Sequence, residues 1–209
     1  EVSNVDKRIA LVVGNSSYKF SQLDSPINDA RMIATALKAL KFDVTLIEDV
    51  GIKSLKDEVH KFTQSLKDTR ATGLFYFAGH GVQNNGKNFI LPIDAIVKSA
   101  GDLASSSFDI QIMLDNFRIA NNGMNILILD ACRDNPFSVN EKTSGLAAVD
   151  GPPGTIVAFA TAPGKVATEN NDNGIYTKRL LENIQIPGMQ IESIFKKVRA
   201  DVIADTNGS

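Results

Sequence analysis

One cysteine in 209 residues, Cys132, rules out an internal disulfide framework and a zinc site built from several thiolates. No apolar run approaches the roughly 20 residues needed to cross a bilayer. Neither sign of charge is in excess, with Lys+Arg 22 against Asp+Glu 24 and a net charge of −2, so nothing points to nucleic acid or an anionic membrane as partner. Internal repeats and a dividing linker are missing as well, so residues 1–209 read as a single domain. The segment after the first apolar run, Gly14-Asn-Ser-Ser-Tyr18, matches neither G-x-G-x-x-G nor a P-loop, which puts a nucleotide-binding reading last.

What is present is a soluble composition, 43% hydrophobic and 22% charged, and a regular alternation of elements. Buried-strand runs occur at Arg8–Gly14, Phe42–Ile47, Thr72–Ala78, Ile126–Leu129 and Thr155–Ala160. Between them lie helical patterns. Ser25-Pro26 reads as N-cap and first helical position, before an apolar stripe from Ile27 to Leu40. Similar stripes run through Leu55–Leu66, Ile110–Ala120, Tyr176–Ile184 and Ile191–Val202. Asn85-Gly86 is a two-residue hairpin signal. Residues 138–154 read as a long mobile loop ending in Pro152-Pro153-Gly154. The pattern predicts an α/β fold with a largely parallel sheet and right-handed crossovers.

The chemistry is expected where strands end. The fourth run stops at Asp130, Cys132 follows, and Arg133-Asp-Asn-Pro136 is turn chemistry. Two residues along a strand return to one face, so Asp130 and Cys132 share a side, roughly 6–7 Å apart. The third run leads straight into Gly79-His80-Gly81. If the two strands are neighbours, imidazole and thiol meet in one crevice at the carboxyl end of the sheet. A free thiol with a pKa of about 8.5 needs a base, and an imidazole near about 6.5 can take its proton and return it to a leaving amine. The backbone N–H groups of Gly81 and Cys132 are candidates for an oxyanion hole. Taken singly, a cysteine is a small buried hydrophobe and a histidine between glycines is structural; their joint position is the signal. The second histidine, His60, falls on the solvent side of its helix.

Phe75-Tyr-Phe-Ala-Gly-His-Gly81, Leu129-Asp-Ala-Cys-Arg133 and Asn88-Phe-Ile-Leu-Pro-Ile-Asp-Ala95 together resemble the caspase-like cysteine peptidases, and most of all paracaspases and bacterial orthocaspases, with metacaspases as relatives. The resemblance runs from Arg8 to about Ala204. It implies a caspase-like three-layer α/β/α sandwich, with His80 as base and Cys132 as nucleophile. It also implies cleavage after arginine and lysine, through an acidic pocket at Asp29, Asp130 and, less directly, Glu169. Two or three carboxylates in a partly dry cleft suit a guanidinium. The plainer alternatives are a first-turn helix acid for Asp29, a strand-end turn residue for Asp130 and a solvated loop charge for Glu169.

Related metacaspases use clustered aspartates to bind calcium. Asp94 fits one such position, but the acidic pair expected near Asp109 is absent, so no cofactor is expected, with calcium dependence left open as the alternative. Self-cleavage, if it occurs, is expected after Lys142, the only basic residue of the 138–154 loop. The competing functional reading is a weakly active caspase-like module that scaffolds partners. Because the first residue is Glu1 and not methionine, a tag, pro-segment or signal peptide is expected upstream, leaving cytoplasmic and periplasmic or secreted locations open. A further C-terminal strand is expected beyond the Thr206-Asn-Gly-Ser209 tail, and monomer and homodimer both stay open.

Overall fold

Alternation along the strands decides which side chains meet which helices. In the computed structural model, residues 7–132, 146–160 and 174–206 are described. The elements are β1 (Arg8–Gly14), α1 (Pro26–Ala39), β2 (Asp43–Glu48), α2 (Ile52–Leu66), β3 (Thr72–Asn84), β4 (Lys87–Ile90), α3 (Leu103–Ser106), β5 (Phe108–Asp109), α4 (Ile110–Ala120), β6 (Met124–Cys132), β7 (Thr155–Phe159), α5 (Ile175–Ile184) and α6 (Ile191–Asp205). β2, β1, β3, β6 and β7 lie side by side, all parallel. β4 and β5 add a short antiparallel ribbon to the far end of β3.

Odd-numbered β1 and β3 residues (Leu11, Val13, Phe75, Phe77), with Leu127 and Leu129 of β6, face α2 and α4. There they meet Leu55, Val59 and Phe62, and Met113, Leu114 and Phe117. Their even-numbered neighbours Val12, Tyr76, Ile126 and Ile128 face the other way, onto Ile33 and Leu37 of α1, Leu180 of α5, and Ile194 and Val198 of α6. This is the period of two expected of a strand buried on both faces, and it gives the helix–sheet–helix sandwich.

Several elements differ from the sequence expectation. β3 does not stop at Ala78 but continues to Asn84, because residues from Gly81 onward find a new antiparallel partner in β4. Asn85 and Gly86 close that hairpin with φ of 49° and 76°, the two positive values of a type I′ turn. β6 likewise runs past Asp130 to Cys132, since Ala131 and Cys132 still pair with β3. The two-residue strand β5 and the short α3 fall where the sequence reads as a polar loop. Ser25 starts α1 without a side-chain cap. Within the 138–154 loop, residues 146 and 147 are anchored: Leu146 is buried, and the Asn88 amide both donates to the Ala147 carbonyl (2.8 Å) and accepts from its N–H (2.7 Å).

Candidate active site

β3 and β6 are adjacent and parallel, and His80 and Cys132 are register partners at their carboxyl ends. Backbones so paired lie about 5 Å apart. The condition set by the sequence, that the two strands be neighbours, is met.

His80 is held from several sides. Its N–H donates to Tyr18 Oη (3.0 Å), its carbonyl accepts from Leu91 N–H (2.9 Å), and Tyr18 Oη in turn donates to the Leu91 carbonyl (2.9 Å). The imidazole lies edge-on to Tyr18 at 4.5 Å between ring centres, with Phe20 at 5.3 Å. His80 Nε2 sits 2.8 Å from the Ser21 carbonyl oxygen. A carbonyl can only accept, so Nε2 carries the hydrogen, and Nδ1 is the basic nitrogen of the neutral ring. Gly79 makes this seat possible. Its φ is 153°, and a Cβ there would lie 2.5 Å from Tyr18 Oη. The loop that supplies Tyr18 and Ser21 is itself fixed: Asp49 accepts from the N–H groups of Ser16 (2.8 Å) and Ser17 (2.9 Å).

Leu91 N–H bonds the His80 carbonyl, so the polar groups of His80 face the β4 side. Backbone groups alternate edges along a strand, which turns the N–H of Gly81 toward the edge where β6 runs.

The two acids described, Asp29 and Asp130, come together on the α1/α5 side. Asp29 lies in the first turn of α1 but is buried. Burial, and next the charge of Asp130, push its carboxyl up to about 6, against a lowering by the Ser25 hydroxyl. The Asp130 carboxyl is also raised by burial, opposed by hydrogen bonds from Thr177 and Tyr76. Gly174, at the start of α5, passes so close that a Cβ there would lie 3.0 Å from Asp29 Oδ1. Asp29 also lines an open cavity of about 670 Å³ between α1 and α5, together with Asn28, Met32, Gly174, Lys178 and Glu182. A buried carboxyl and a half-buried one, the second raising the first, form a site suited to a cation.

Glu169 and Lys142 lie outside the described residues. His60 is exposed on α2 as expected. Asp94 accepts from Ile52 N–H (2.9 Å) at the start of α2, and Asp109 accepts from Gln111 N–H (2.9 Å) as the N-cap of α4. Both acids of the calcium comparison therefore serve helix ends. Among the described residues, no group of three or more His, Cys, Asp or Glu could hold a metal, and no helix is long and apolar enough to cross a membrane.

Sequence reasoning missed Tyr18, Ser21, Tyr76 and Thr177. The one available signal was Tyr76, a hydroxyl inside an otherwise apolar buried strand, which must find a partner.

Comparison with known proteins bears on the family and the fold. Residues 7–209 match the Peptidase_C14 family, described as Caspase domain. The chain is 29% identical over 188 residues to the mucosa-associated lymphoid tissue lymphoma translocation protein 1 of Homo sapiens, and equally to its Mus musculus homolog, covering 86% of this chain and 22% of each relative. It thus spans about a fifth of the length of those relatives. Among solved structures, the Drosophila initiator caspase Dronc superposes with a TM-score of 0.68 at 19% identity, over 93% of this chain and 72% of that one.

Proposed function

The chain belongs to the caspase-domain family, and from that premise we propose that it is a cysteine endopeptidase cutting protein or peptide chains after arginine and lysine. The observation that carries this is the in-register placement of His80 and Cys132 on neighbouring parallel strands. In this reading the Cys132 thiol gives its proton to His80 Nδ1, and the thiolate attacks the carbonyl carbon of the scissile bond. The oxyanion of the tetrahedral intermediate is held by the N–H groups of Gly81 and Cys132. The imidazolium then protonates the leaving amine, and an acyl-enzyme remains. Water, losing its proton to His80, attacks the thioester carbonyl; its collapse releases the acid and restores the thiol. The Ser21 carbonyl supports this by holding the ring in one tautomer and accepting from the imidazolium as it forms.

Preference for a basic residue is supported by Asp29 and Asp130. A guanidinium or ammonium placed against them offsets the burial, and next the repulsion from Asp130, that raise the Asp29 carboxyl. Glu169 is proposed as a third acid of the same pocket, and self-cleavage after Lys142 follows from the same preference. The reaction as written uses no cofactor. The test is turnover of an arginyl reporter peptide. Wild type cleaves it and is labelled at Cys132 by an arginyl electrophile, and Cys132→Ala does neither. Undiminished turnover in Cys132→Ala rejects the dyad.

A further inference from the structure

Two hydroxyls from different elements converge on a single oxygen of Asp130. Thr177 Oγ1, from the first turn of α5, donates to Asp130 Oδ2 at 2.7 Å. Tyr76 Oη, from β3, lies 3.1 Å from the same oxygen and 2.9 Å from Thr177 Oγ1. Both residues are 0% exposed. Each hydroxyl has one hydrogen. Both are donated to Asp130 Oδ2. A carboxylate oxygen has about two acceptor positions, so Oδ2 is filled, while Oδ1 takes no hydrogen bond from the described residues.

Packing alone does not call for these hydroxyls. Valine has the shape of threonine, and phenylalanine that of tyrosine, and the neighbours Ile126, Ile128 and Leu180 are apolar. Neither hydroxyl takes part in the acyl-transfer steps. What they do is fix one rotamer of a half-buried acid, which would otherwise be free to turn or to take up a proton.

We propose that Thr177 and Tyr76 are positioning residues of the pocket for the basic side chain: they lock Asp130 through Oδ2 and aim Oδ1 at the substrate cation. The inference rests on the peptidase reading above. It makes the register of α5 a determinant of specificity, because Thr177 reaches Asp130 only if the helix starts where it does. The two hydrogen bonds also favour the ionised form of Asp130 against the effect of burial. The other titratable groups described around Asp130 are Asp29 from α1, Tyr76 itself, and Tyr176 from α5.

The test compares wild type, Thr177→Val, Thr177→Ser and Tyr76→Phe, using an arginyl reporter peptide and agmatine, a free guanidinium, as competitive inhibitor. A hydrogen bond to a charged group supports an effect of roughly tenfold or more. Thr177→Val is therefore expected to raise KM for the peptide and Ki for agmatine together, with kcat within about threefold of wild type. The pH at which agmatine binding tightens is expected to move alkaline. Thr177→Ser restores all three readouts, and Tyr76→Phe gives a smaller shift in the same direction. Should Thr177→Val not fold, the Thr177→Ser and Tyr76→Phe pair decides: wild-type Ki in the first and a raised Ki in the second uphold the proposal, and wild-type Ki in both overturns it. A fall in kcat at unchanged KM and Ki in Thr177→Val also overturns it. Wild type that neither cleaves the peptide nor is labelled at Cys132 overturns the peptidase reading and this inference together. Wild-type cleavage with unaltered KM and Ki in Thr177→Val overturns this inference alone.

Discussion

The two faces of the central sheet are made by the same strands and do opposite things. Toward α2 and α4, β3 and β6 present Phe75, Phe77, Leu127 and Leu129 to an entirely apolar layer. Toward α1 and α5, the intervening residues are apolar only at first; near the carboxyl ends they become Tyr76 and Asp130, with Asp29 and Thr177 opposite. One face contributes stability. The other keeps two carboxyls, Asp29 buried and Asp130 half-buried, whose ionised form is disfavoured, which is a cost to stability and an asset to cation binding. A period of two lets a single strand serve both ends at once.

The comparison can be broken most sharply on the functional face. His80→Ala is expected to lower kcat by about 10²–10⁴-fold with only a small change in unfolding midpoint; a loss of folding instead would make His80 a core residue. On the apolar face, Phe77→Ala, at a site with 0% exposure, is expected to lower unfolding free energy by about 3–5 kcal/mol, read by urea denaturation.

Asp29→Asn sharpens the contrast in the opposite direction. The folded carboxyl, at about 6, lies above its ordinary value of 3.8, so ionisation opposes folding. The penalty is absent below the unfolded pKa, grows as pH rises between the two values, and is complete above the folded one. Asp29→Asn is thus expected to be more stable than wild type by up to about 3 kcal/mol at pH 7.5, the gap closing as pH falls through 6 toward 4. Its KM for arginyl peptide should rise. A variant less stable than wild type at pH 7.5 would place Asp29 among the stabilising residues. The smallest effect concerns the seat of the base: Tyr18→Phe removes the Oη that links His80 N–H and the Leu91 carbonyl. About 1 kcal/mol of stability and a several-fold drop in kcat are expected, by thermal unfolding and reporter turnover.

Much of this was legible from the chain alone, because periodicity and local order carry it. Unbroken apolar runs marked the strands, and the placement of Cys132 and His80 just after two of them marked the site. What periodicity could not reveal was partnership. Gly79-His80-Gly81 reads as the end of a strand, yet β3 continues because β4 is there to pair with it. Nothing local in the polar loop after Gly14 says that Tyr18 and Ser21 will hold a histidine some sixty positions downstream. Asp29 looks like an ordinary first-turn acid until α5 and Asp130 close over it. Ser25 looks like a cap, but it makes no side-chain cap hydrogen bond.

The change of partners along β3 has a mechanical consequence. Residues up to Ala78 are clamped between β1 and β6, Gly79 and His80 stay paired with β6, and those from Gly81 onward are stitched into the ribbon with β4. The imidazole therefore stands on the joint between two braced spans, like a bearing set over a pier. Whatever yields when a peptide docks, the base should not: the amides of His80 and Val82 are expected to be among the slowest in the protein to exchange with deuterium.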